Sequence, residues 1–235
     1  MERTMVPEKE ERKKTAVPPL QNGDHLTRSE FERRYQEHDH VKKAELVEGV
    51  VHMPSPVLLN HGEIHSSVMI WLGMYRVHTR GVRLADNASV RLDIDNEVQP
   101  DAFLDVEPER GGQIVVGADG YVSGAPEMVV EVAASSAACD LHEKRHVYRR
   151  NEVREYLVLL AYEKETRWFR WEEGQYDLLT PNDFGILQSR IFPGLWLQSE
   201  AFWADDLETV LATLRKGLKT TAHAEFVEKL QTASE

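Results

Sequence analysis

The sequence predicts one α/β domain, because segments with strand character alternate with segments with helical character along the chain. EMVVEVAA and EYLVLLAY are short apolar runs, typical of strands that are buried on both faces of a sheet. Between His61 and about His78, apolar residues recur three and four positions apart, which predicts a long amphipathic helix. A chain of 235 residues is long enough for one domain with a substantial core and with tails.

The composition excludes several functional classes. The formal net charge is −12, which argues against binding nucleic acid through bulk charge, so any DNA contact has to be local. Cys139 is the single cysteine, so no intrachain disulfide can form, and a shielded bystander thiol is favoured over a nucleophile. No apolar stretch approaches the roughly 20 residues that span a bilayer. We therefore expect a cytoplasmic protein with no membrane partner.

The first elements follow a charged segment. Residues 1–25 contain EKEERKK and VPPLQNGD, which predict a flexible tail. LTRSEFERRYQEH predicts a short helix, with Thr27 as the N-cap and Glu30 three positions later. AELVEGVVHMP predicts two extended segments that bend at Gly49.

The middle of the chain is predicted to alternate between helices and strands. The long helix carries Ile64, Val68, Trp71 and Tyr75 on one face. VRLADNASVRLD and EVQPDAFLDV predict strands, and LHEKRHVYRRN predicts a helix with Asp140 as its N-cap. TRWFRWEEGQYDLLT predicts a hairpin that turns at Glu173–Gly174.

The segment 204–235 is predicted to be a helical extension. One helix from about Glu200 to Leu218 carries leucines at helical spacing, and a shorter stretch holds Phe226, Val227 and Leu230. The leucines could form a dimer seam or pack on their own domain, and packing is favoured because three heptads are not reached.

Two carboxylates lie in segments that are otherwise suited to burial. Asp101 follows Pro100, and Glu131 is in the middle of MVVEVAA. A buried carboxylate needs a partner. A divalent cation is one, since Mg²⁺ binds through one or two carboxylates and keeps water and phosphate oxygens as further ligands. An ion pair with Lys or Arg, or a strand end open to solvent, is the alternative.

An ordered series of short motifs resembles the Uma family of restriction endonucleases, in the PD-(D/E)XK nuclease superfamily. The family's motifs are an ELxxG segment, a PD on a strand, a strand ending in EV, D-x3-K-x3-Y and EYW. In this chain they are Glu45 to Gly49, Pro100–Asp101, Glu131–Val132, Asp140–Lys144–Tyr148 and Glu155–Tyr156. The resemblance runs from about residue 26 to residue 203.

The resemblance implies a restriction-endonuclease-like core over residues 26–203, with a mixed β-sheet flanked by helices. It implies that Asp101 and Glu131 meet on neighbouring strands and hold Mg²⁺ or Mn²⁺, with Glu45 as the third acid. The implied activity is metal-dependent hydrolysis of DNA phosphodiester bonds. We expect DNA as a partner and a homodimer as the assembly.

The sequence departs from the superfamily at the catalytic lysine, which normally follows the second acid by two positions. Position 133 is Ala, so Lys144, one helical turn beyond Asp140, is the candidate to send an ammonium into the site. A solvated helix lysine is the alternative. His61 stands where the family also has a histidine and could contact phosphate, although a packing or capping role is equally open. Ala134, Ser135 and Leu157 are further departures that remove no ligand.

Other patterns are weaker. His61 and His65, and likewise His142 and His146, are spaced for zinc but have no evident third ligand. A positive strip that could meet phosphates, or could be an ordinary solvated face, contains Arg76, Arg80, Arg83, Lys144, Arg145, Arg149, Arg150 and Arg154. Besides the DNA endonuclease, two functions stay open: an inactive nuclease-fold protein that acts as a dimeric binding or regulatory module, and a hydrolase of another phosphate ester.

Overall fold

The computed structural model describes residues 17–38, 40–54 and 56–233. The helices are α1 (Arg28–Gln36), α2 (Leu59–His78), α3 (Ala137–Cys139), α4 (Arg145–Arg150), α5 (Ser199–Trp203), α6 (Leu207–Gly217) and α7 (Thr221–Thr232). The strands are β1 (Glu45–Val47), β2 (Val50–His52), β3 (Val82–Asp86), β4 (Val90–Arg91), β5 (Glu97–Val98), β6 (Ala102–Val106), β7 (Val115–Val116), β8 (Val122–Ser123), β9 (Met128–Ala133), β10 (Glu155–Leu160), β11 (Glu165–Glu172), β12 (Gln175–Leu178), β13 (Ile186–Gln188) and β14 (Trp196–Gln198).

The central sheet is mixed, as the resemblance implied, and has the strand order β12-β11-β10-β9-β6-β3. β9 and β10 are parallel and completely buried, which confirms the prediction from their apolar sequences. The other neighbouring pairs are antiparallel, including the β11–β12 hairpin. Its turn lies at Glu173–Gly174 as predicted, where both residues have positive φ.

Each face of this sheet has its own core because side chains alternate along a strand. Val130 and Val132 of β9 pack with α2 and the C-terminal helices. Val129 and Ala133 of β9 face the opposite core, which contains Tyr148 of α4. Glu131 lies between Val129 and Ala133 in this alternation, so its carboxylate faces the layer that contains α4.

A second, smaller sheet has the order β2-β1-β5-β4-β8-β7, and β13 pairs with β14. The first two strands form a hairpin with positive φ at Glu48 and Gly49, which confirms the predicted bend. Of the predicted tail, residues 1–16 lie outside the described residues. The remainder packs on the hairpin: Leu20 is buried and His25 bridges to Val50, so order begins before residue 26.

Two predicted helices begin as expected. α1 has Thr27 as its N-cap, with the hydroxyl accepting from the Glu30 amide. The Glu30 carboxylate accepts from Arg33 and Arg34. α2 buries the predicted face, and the indole of Trp71 donates to the Trp196 carbonyl at 3.0 Å. This bond fixes α2 to β14.

The helix after β9 differs from the prediction. Asp140 is not an N-cap, because helical structure begins at Ala137 and passes through a π-helical turn, Asp140–Lys144, into α4. The Asp140 carboxylate instead accepts from the Ser136 hydroxyl at 2.5 Å and lies buried inside the helical segment. We refer to residues 137–150 as the site helix.

The predicted helix from about Glu200 to Leu218 is two helices. α5 ends at Trp203, and Asp205 adopts a φ of 58° before Asp206 caps α6. Val210 and Leu214 of α6 and Leu230 of α7 are buried in the core that contains α2. Within the described residues, no helix has the length and apolar character needed to cross a bilayer.

Candidate active site

Asp101 and Glu131 lie side by side at the centre of the main sheet. The antiparallel register pairs Ala102 of β6 with Val130 of β9, so the next positions along the two strands are Asp101 and Glu131. The Asp101 amide donates to Glu131 Oε2 at 3.4 Å, and the Val132 amide donates to Asp101 Oδ2 at 2.8 Å. Both carboxylates are therefore fixed by backbone groups of the opposite strand.

Lys144 extends from the site helix into the layer that Glu131 faces. Its amine Nζ lies 3.0 Å from Glu131 Oε1, 2.9 Å from Glu45 Oε2 and 3.6 Å from Asp140 Oδ1. The Tyr148 hydroxyl, one turn further along, donates to Glu131 Oε1 at 2.9 Å. The lysine is 5% exposed, which excludes the alternative of a solvated surface lysine.

Glu45 reaches the site from the small sheet. The Gln99 amide donates to Glu45 Oε1 at 2.7 Å, which ties β1 to the segment leading into Asp101. Among the described residues, Glu45, Asp101 and Glu131 do not form a three-ligand cluster, and Lys144 lies between Glu45 and Glu131. Two of the predicted acids, Glu45 and Glu131, thus flank the ammonium, and Asp101 lies beside Glu131 on the neighbouring strand.

His61 stands in the first turn of α2, beside Asp101. Its Nε2 lies 3.3 Å from Asp101 Oδ2, while Nδ1 is buried and has no hydrogen-bond partner among the described residues. His65, one turn later, has its Nε2 2.9 Å from the Asp101 carbonyl oxygen. The His61–His65 pair predicted as a weak zinc motif is therefore divided between the side chain and the backbone of one aspartate.

The two neighbouring carboxylates differ in acidity. Burial raises the pKa of Glu131 to about 8; Lys144 opposes this shift, while the negative charges of Asp140, Asp101 and Glu45 add to it. Burial also acts on Asp101, but the hydrogen bond from His61 and the charge of Lys43 outweigh it and lower the pKa to about 2. Burial thus favours the protonated form of Glu131, whereas Asp101 stays ionised near neutral pH.

This charge balance fits an oxygen-ligated divalent cation. Glu45, Glu131 and Asp140 surround the buried ammonium of Lys144, and Asp101 lies beside Glu131 with Lys43 at 3.5 Å, so carboxylates outnumber the ammonium groups in the site. A proton on Glu131 partly neutralises that surplus, and a divalent cation would do so more completely. Carboxylate oxygens are the ligands that Mg²⁺ and Mn²⁺ prefer. Asp101 and Glu131 are the residues that would hold such an ion, with Glu45 nearby.

A family profile decides the classification of the chain. The Uma2 family, described as "Putative restriction endonuclease", matches residues 28–200. The chain belongs to the Uma2 family. No curated protein matches the sequence.

A solved structure supports the fold of this Uma2 member. It is described as a putative nuclease belonging to DUF820 from Anabaena variabilis ATCC 29413, with a TM-score of 0.57 and 12% identity. The match covers 80% of this chain and 99% of that chain. At this identity the likeness shows a shared fold of mixed sheet and flanking helices, and nothing about the activity or the substrate.

Sequence reasoning missed Lys43 as a site residue of this Uma2 chain. Its amine lies 3.5 Å from Asp101 Oδ1 and donates to Asn87 Oδ1 at 2.9 Å. Lys43 precedes Glu45 by two positions, the spacing that places side chains on one side of an extended chain. That spacing was the available signal for a second ammonium at the acids.

The predicted positive strip is mostly occupied by contacts within the chain. Arg150 pairs with Glu48 and Asp93, and Arg83 pairs with Asp105. Arg149 donates to the Gly174 carbonyl, and Arg154 donates to Gln113. Arg76 and Arg80 are exposed on α2 or directly after it. These contacts support the interpretation of the strip as an ordinary surface.

Proposed function

We propose that this protein is an endonuclease that hydrolyses DNA phosphodiester bonds with Mg²⁺ or Mn²⁺. The observation that carries the proposal is the position of the Lys144 amine, 3.0 Å from Glu131 although residue 133 is Ala. The site helix thereby supplies the ammonium that the strand lacks. A buried lysine beside two carboxylates that could hold a cation is suited to stabilising charge on a reacting phosphate. It is not suited to binding a partner at the protein surface.

Asp101 and Glu131 would hold the cation, and Glu45 would join them directly or through water. When bound, the cation polarises the scissile phosphate and makes its water a better nucleophile. Lys144 orients the attacking water and offsets negative charge as it develops on the phosphate. Tyr148 and the Val132 amide keep the two carboxylates in place, through hydrogen bonds of 2.9 and 2.8 Å.

His61 would contact a phosphate oxygen. Its Nε2 lies 3.3 Å from Asp101 Oδ2, so the ring stands directly beside one of the carboxylates that would hold the cation. Without a cation the acidic site repels phosphate, since Glu45, Asp101 and Glu131 surround it. We therefore expect productive DNA binding to depend on the metal as well as cleavage itself.

The first prediction concerns cleavage. With Mg²⁺ or Mn²⁺, purified protein should cut plasmid DNA, and EDTA should abolish cutting. Asp101→Ala and Glu131→Ala should each lower the rate at least about 100-fold, because each removes charge stabilisation that develops in the transition state. Gel assays with plasmid, single-stranded DNA and RNA measure the rates and identify the substrate class.

The matched control is Asp177→Ala, which removes an exposed acid from β12 and should leave cleavage unchanged. Each variant must keep the circular dichroism spectrum of the parent. If folded Asp101→Ala and Glu131→Ala cut DNA at the wild-type rate, the proposed site is wrong. If the protein hydrolyses other phosphate esters but not nucleic acid, the proposed site is supported and the proposed substrate is wrong.

A second candidate function is a non-catalytic module that binds a partner as a homodimer. The observation that favours it is that Glu45, Glu131 and Asp140 surround the Lys144 amine. In this candidate function the ammonium is a structural ion-pair partner and has no catalytic role. This candidate predicts no metal-dependent cleavage of any substrate and a mass of two chains by light scattering. Cleavage that depends on Asp101 and Glu131 contradicts it.

A further inference from the structure

A second group of metal-ligand side chains lies outside the proposed catalytic site. His52, Cys139 and Glu143 each offer one ligand atom, and these atoms lie within 4.8 Å of one another. His52 Nε2 is 3.8 Å from Glu143 Oε2. The sequence indicated no role for His52 or Glu143, and Cys139 was expected to be a bystander thiol. This group therefore combines residues that had no predicted function.

Local structure explains why these three residues meet. In the β1–β2 hairpin, His52 is paired with Glu45, which places its ring at the edge of the acidic site. Cys139 and Glu143 are four positions apart in the site helix, so their side chains lie one turn above the other. Asp140 and Lys144, each the next residue, point to the buried interior.

The spacing of the ligand atoms fits a tetrahedral cation. With bonds of about 2.0–2.3 Å to nitrogen, oxygen and sulfur, ligand atoms around zinc stand about 3.3–3.8 Å apart. The 3.8 Å between His52 Nε2 and Glu143 Oε2 is too long for a hydrogen bond and about 0.5 Å longer than the separation of a nitrogen and an oxygen ligand, so a small side-chain movement would bring both atoms onto one ion. A nitrogen, a thiolate and a carboxylate are the mixed set that zinc accepts, whereas Mg²⁺ prefers oxygen alone.

The site is also accessible. The side chains of His52 and Glu143 are 34% and 56% exposed, so an ion can enter from solvent and keep water in a fourth position.

Burial raises the pKa of the Cys139 thiol to about 12, and the negative charges of Asp140 and Glu143 act in the same direction. The free thiol is therefore protonated, and binding of a cation releases its proton to the solvent.

We propose that His52, Cys139 and Glu143 form a second metal site, which takes zinc or a similar transition-metal cation with water as the fourth ligand. Such an ion would join the hairpin that carries Glu45 to the site helix that carries Lys144. It would therefore hold together two elements of the acidic site without touching the reacting phosphate. The proposal is independent of nuclease activity, because it rests on ligands that the proposed reaction does not use.

Cobalt titration tests the site because Co²⁺ replaces zinc and reports on its ligands. In excess Mg²⁺, which is expected to occupy the acidic site, reduced wild-type protein should bind one equivalent of Co²⁺, with the near-ultraviolet thiolate-to-cobalt charge-transfer absorption and the visible bands of tetrahedral coordination. Zn²⁺ should displace the colour. Cys139→Ser should lose the charge-transfer absorption, and His52→Ala and Glu143→Ala should each weaken binding at least about 10-fold, in the range that loss of one ligand produces.

Two control variants separate this site from other metal sites. His142→Ala removes an exposed histidine of the same π-helical turn and should bind Co²⁺ as wild type does. Asp101→Ala should also keep the absorption, even if it abolishes nuclease activity. Zn²⁺ should raise the thermal midpoint of wild type and of His142→Ala, but not that of Cys139→Ser. Circular dichroism establishes that each variant is folded.

Three results would overturn the proposal. The first is a folded, reduced wild-type protein without thiolate-to-cobalt absorption at millimolar Co²⁺. The second is full-strength binding in both His52→Ala and Glu143→Ala, which would leave the thiol as an isolated ligand. The third is loss of the absorption in Asp101→Ala, which would place the ion in the acidic site.

Discussion

At the scale of the residue, Lys144 is the group on which the interior of the site depends. It is one buried ammonium among Glu45, Glu131 and Asp140, at 2.9, 3.0 and 3.6 Å. The acidic neighbours raise its pKa well above the usual value against the opposing effect of burial, so it stays charged. Removal of this charge leaves several buried carboxylates without their shared partner.

Lys144→Ala should therefore lower the free energy of unfolding by about 3–5 kcal/mol, the range for a buried ion pair that loses one partner. Glu131→Gln in the same chain should restore part of the loss, because it removes one of the uncompensated carboxylates. Urea denaturation of the single and double variants measures both effects. Lys216→Ala, at an exposed position of α6, is the control and should change stability by less than about 0.5 kcal/mol. Equal effects of Lys144→Ala and Lys216→Ala would contradict the buried ion pair.

At the scale of the element, the strand that carries Glu131 could be predicted because MVVEVAA is apolar enough for burial on both faces. Its register could not, since pairing of Ala102 with Val130 is a long-range choice that no local pattern encodes. The predicted start of the site helix was wrong. Asp140 has the residue type of an N-cap, but it is buried beside Lys144 within a π-helical turn.

The contact between α6 and the loop before β14 gives the second stability prediction. Gly217, at the end of α6, packs so closely on Gly194 that an added Cβ would lie 2.2 Å from the Gly194 carbonyl oxygen. Gly217→Ala should therefore destabilise the protein by about 1–3 kcal/mol through overpacking. Chemical denaturation measures the change in the free energy of unfolding.

Gly73→Ala is the matched control on α2, where an added Cβ meets nothing within 4 Å. Alanine lowers the conformational entropy of the unfolded chain, so this variant should gain about 0.5–1 kcal/mol. Opposite signs for the two helix glycines are the expected result. A stabilised Gly217→Ala variant would mean that α6 does not dock closely on the Gly194 loop.

At the scale of the whole molecule, the sequence predicted the α/β class and the acids, but not the assembly around them. The small sheet contains two-residue strands such as β4 and β5, which are too short to give a periodic pattern. The break at Asp205 was missed because a single residue with positive φ divides α5 from α6, and no Gly or Pro marks the position in the sequence. Lys43 and the His52–Cys139–Glu143 group depend on contacts between distant segments.

The interior also concentrates negative charge. Among the described residues, one lysine and eight acids are buried: Glu45, Glu97, Asp101, Asp105, Glu127, Glu131, Asp140 and Glu155. Burial raises the pKa of Glu97 to about 8, with a further contribution from the neighbouring Glu32 carboxyl. Burial likewise raises the pKa of Glu131 to about 8 and that of Glu155 to about 7. Several carboxyls thus bind protons more tightly in the folded protein than in the unfolded chain.

The pH dependence of stability follows from this difference. A carboxyl with a raised folded pKa gives its full stability below its unfolded pKa, and loses it as pH rises through the folded value. For Glu97 and Glu131 that window runs from about 4.5 to about 8, so the metal-free protein should lose stability steadily between about pH 5 and 8. Asp101 acts in a separate, more acidic window, because its lowered pKa matters only as pH falls towards about 2.

Urea denaturation in EDTA across this range measures the slope. Glu97→Gln and Glu131→Gln should each flatten the curve, since the amide removes the titrating group while it keeps the size of the side chain. Glu208→Gln, at an exposed position of α6, should leave the curve unchanged. Mg²⁺ should remove the part of the pH dependence that comes from Glu131, because the cation takes the place of the proton there. The part that comes from Glu97 should remain. Stability that rises from pH 5 to 8 without metal would show that the buried acids are ionised and balanced in the folded protein.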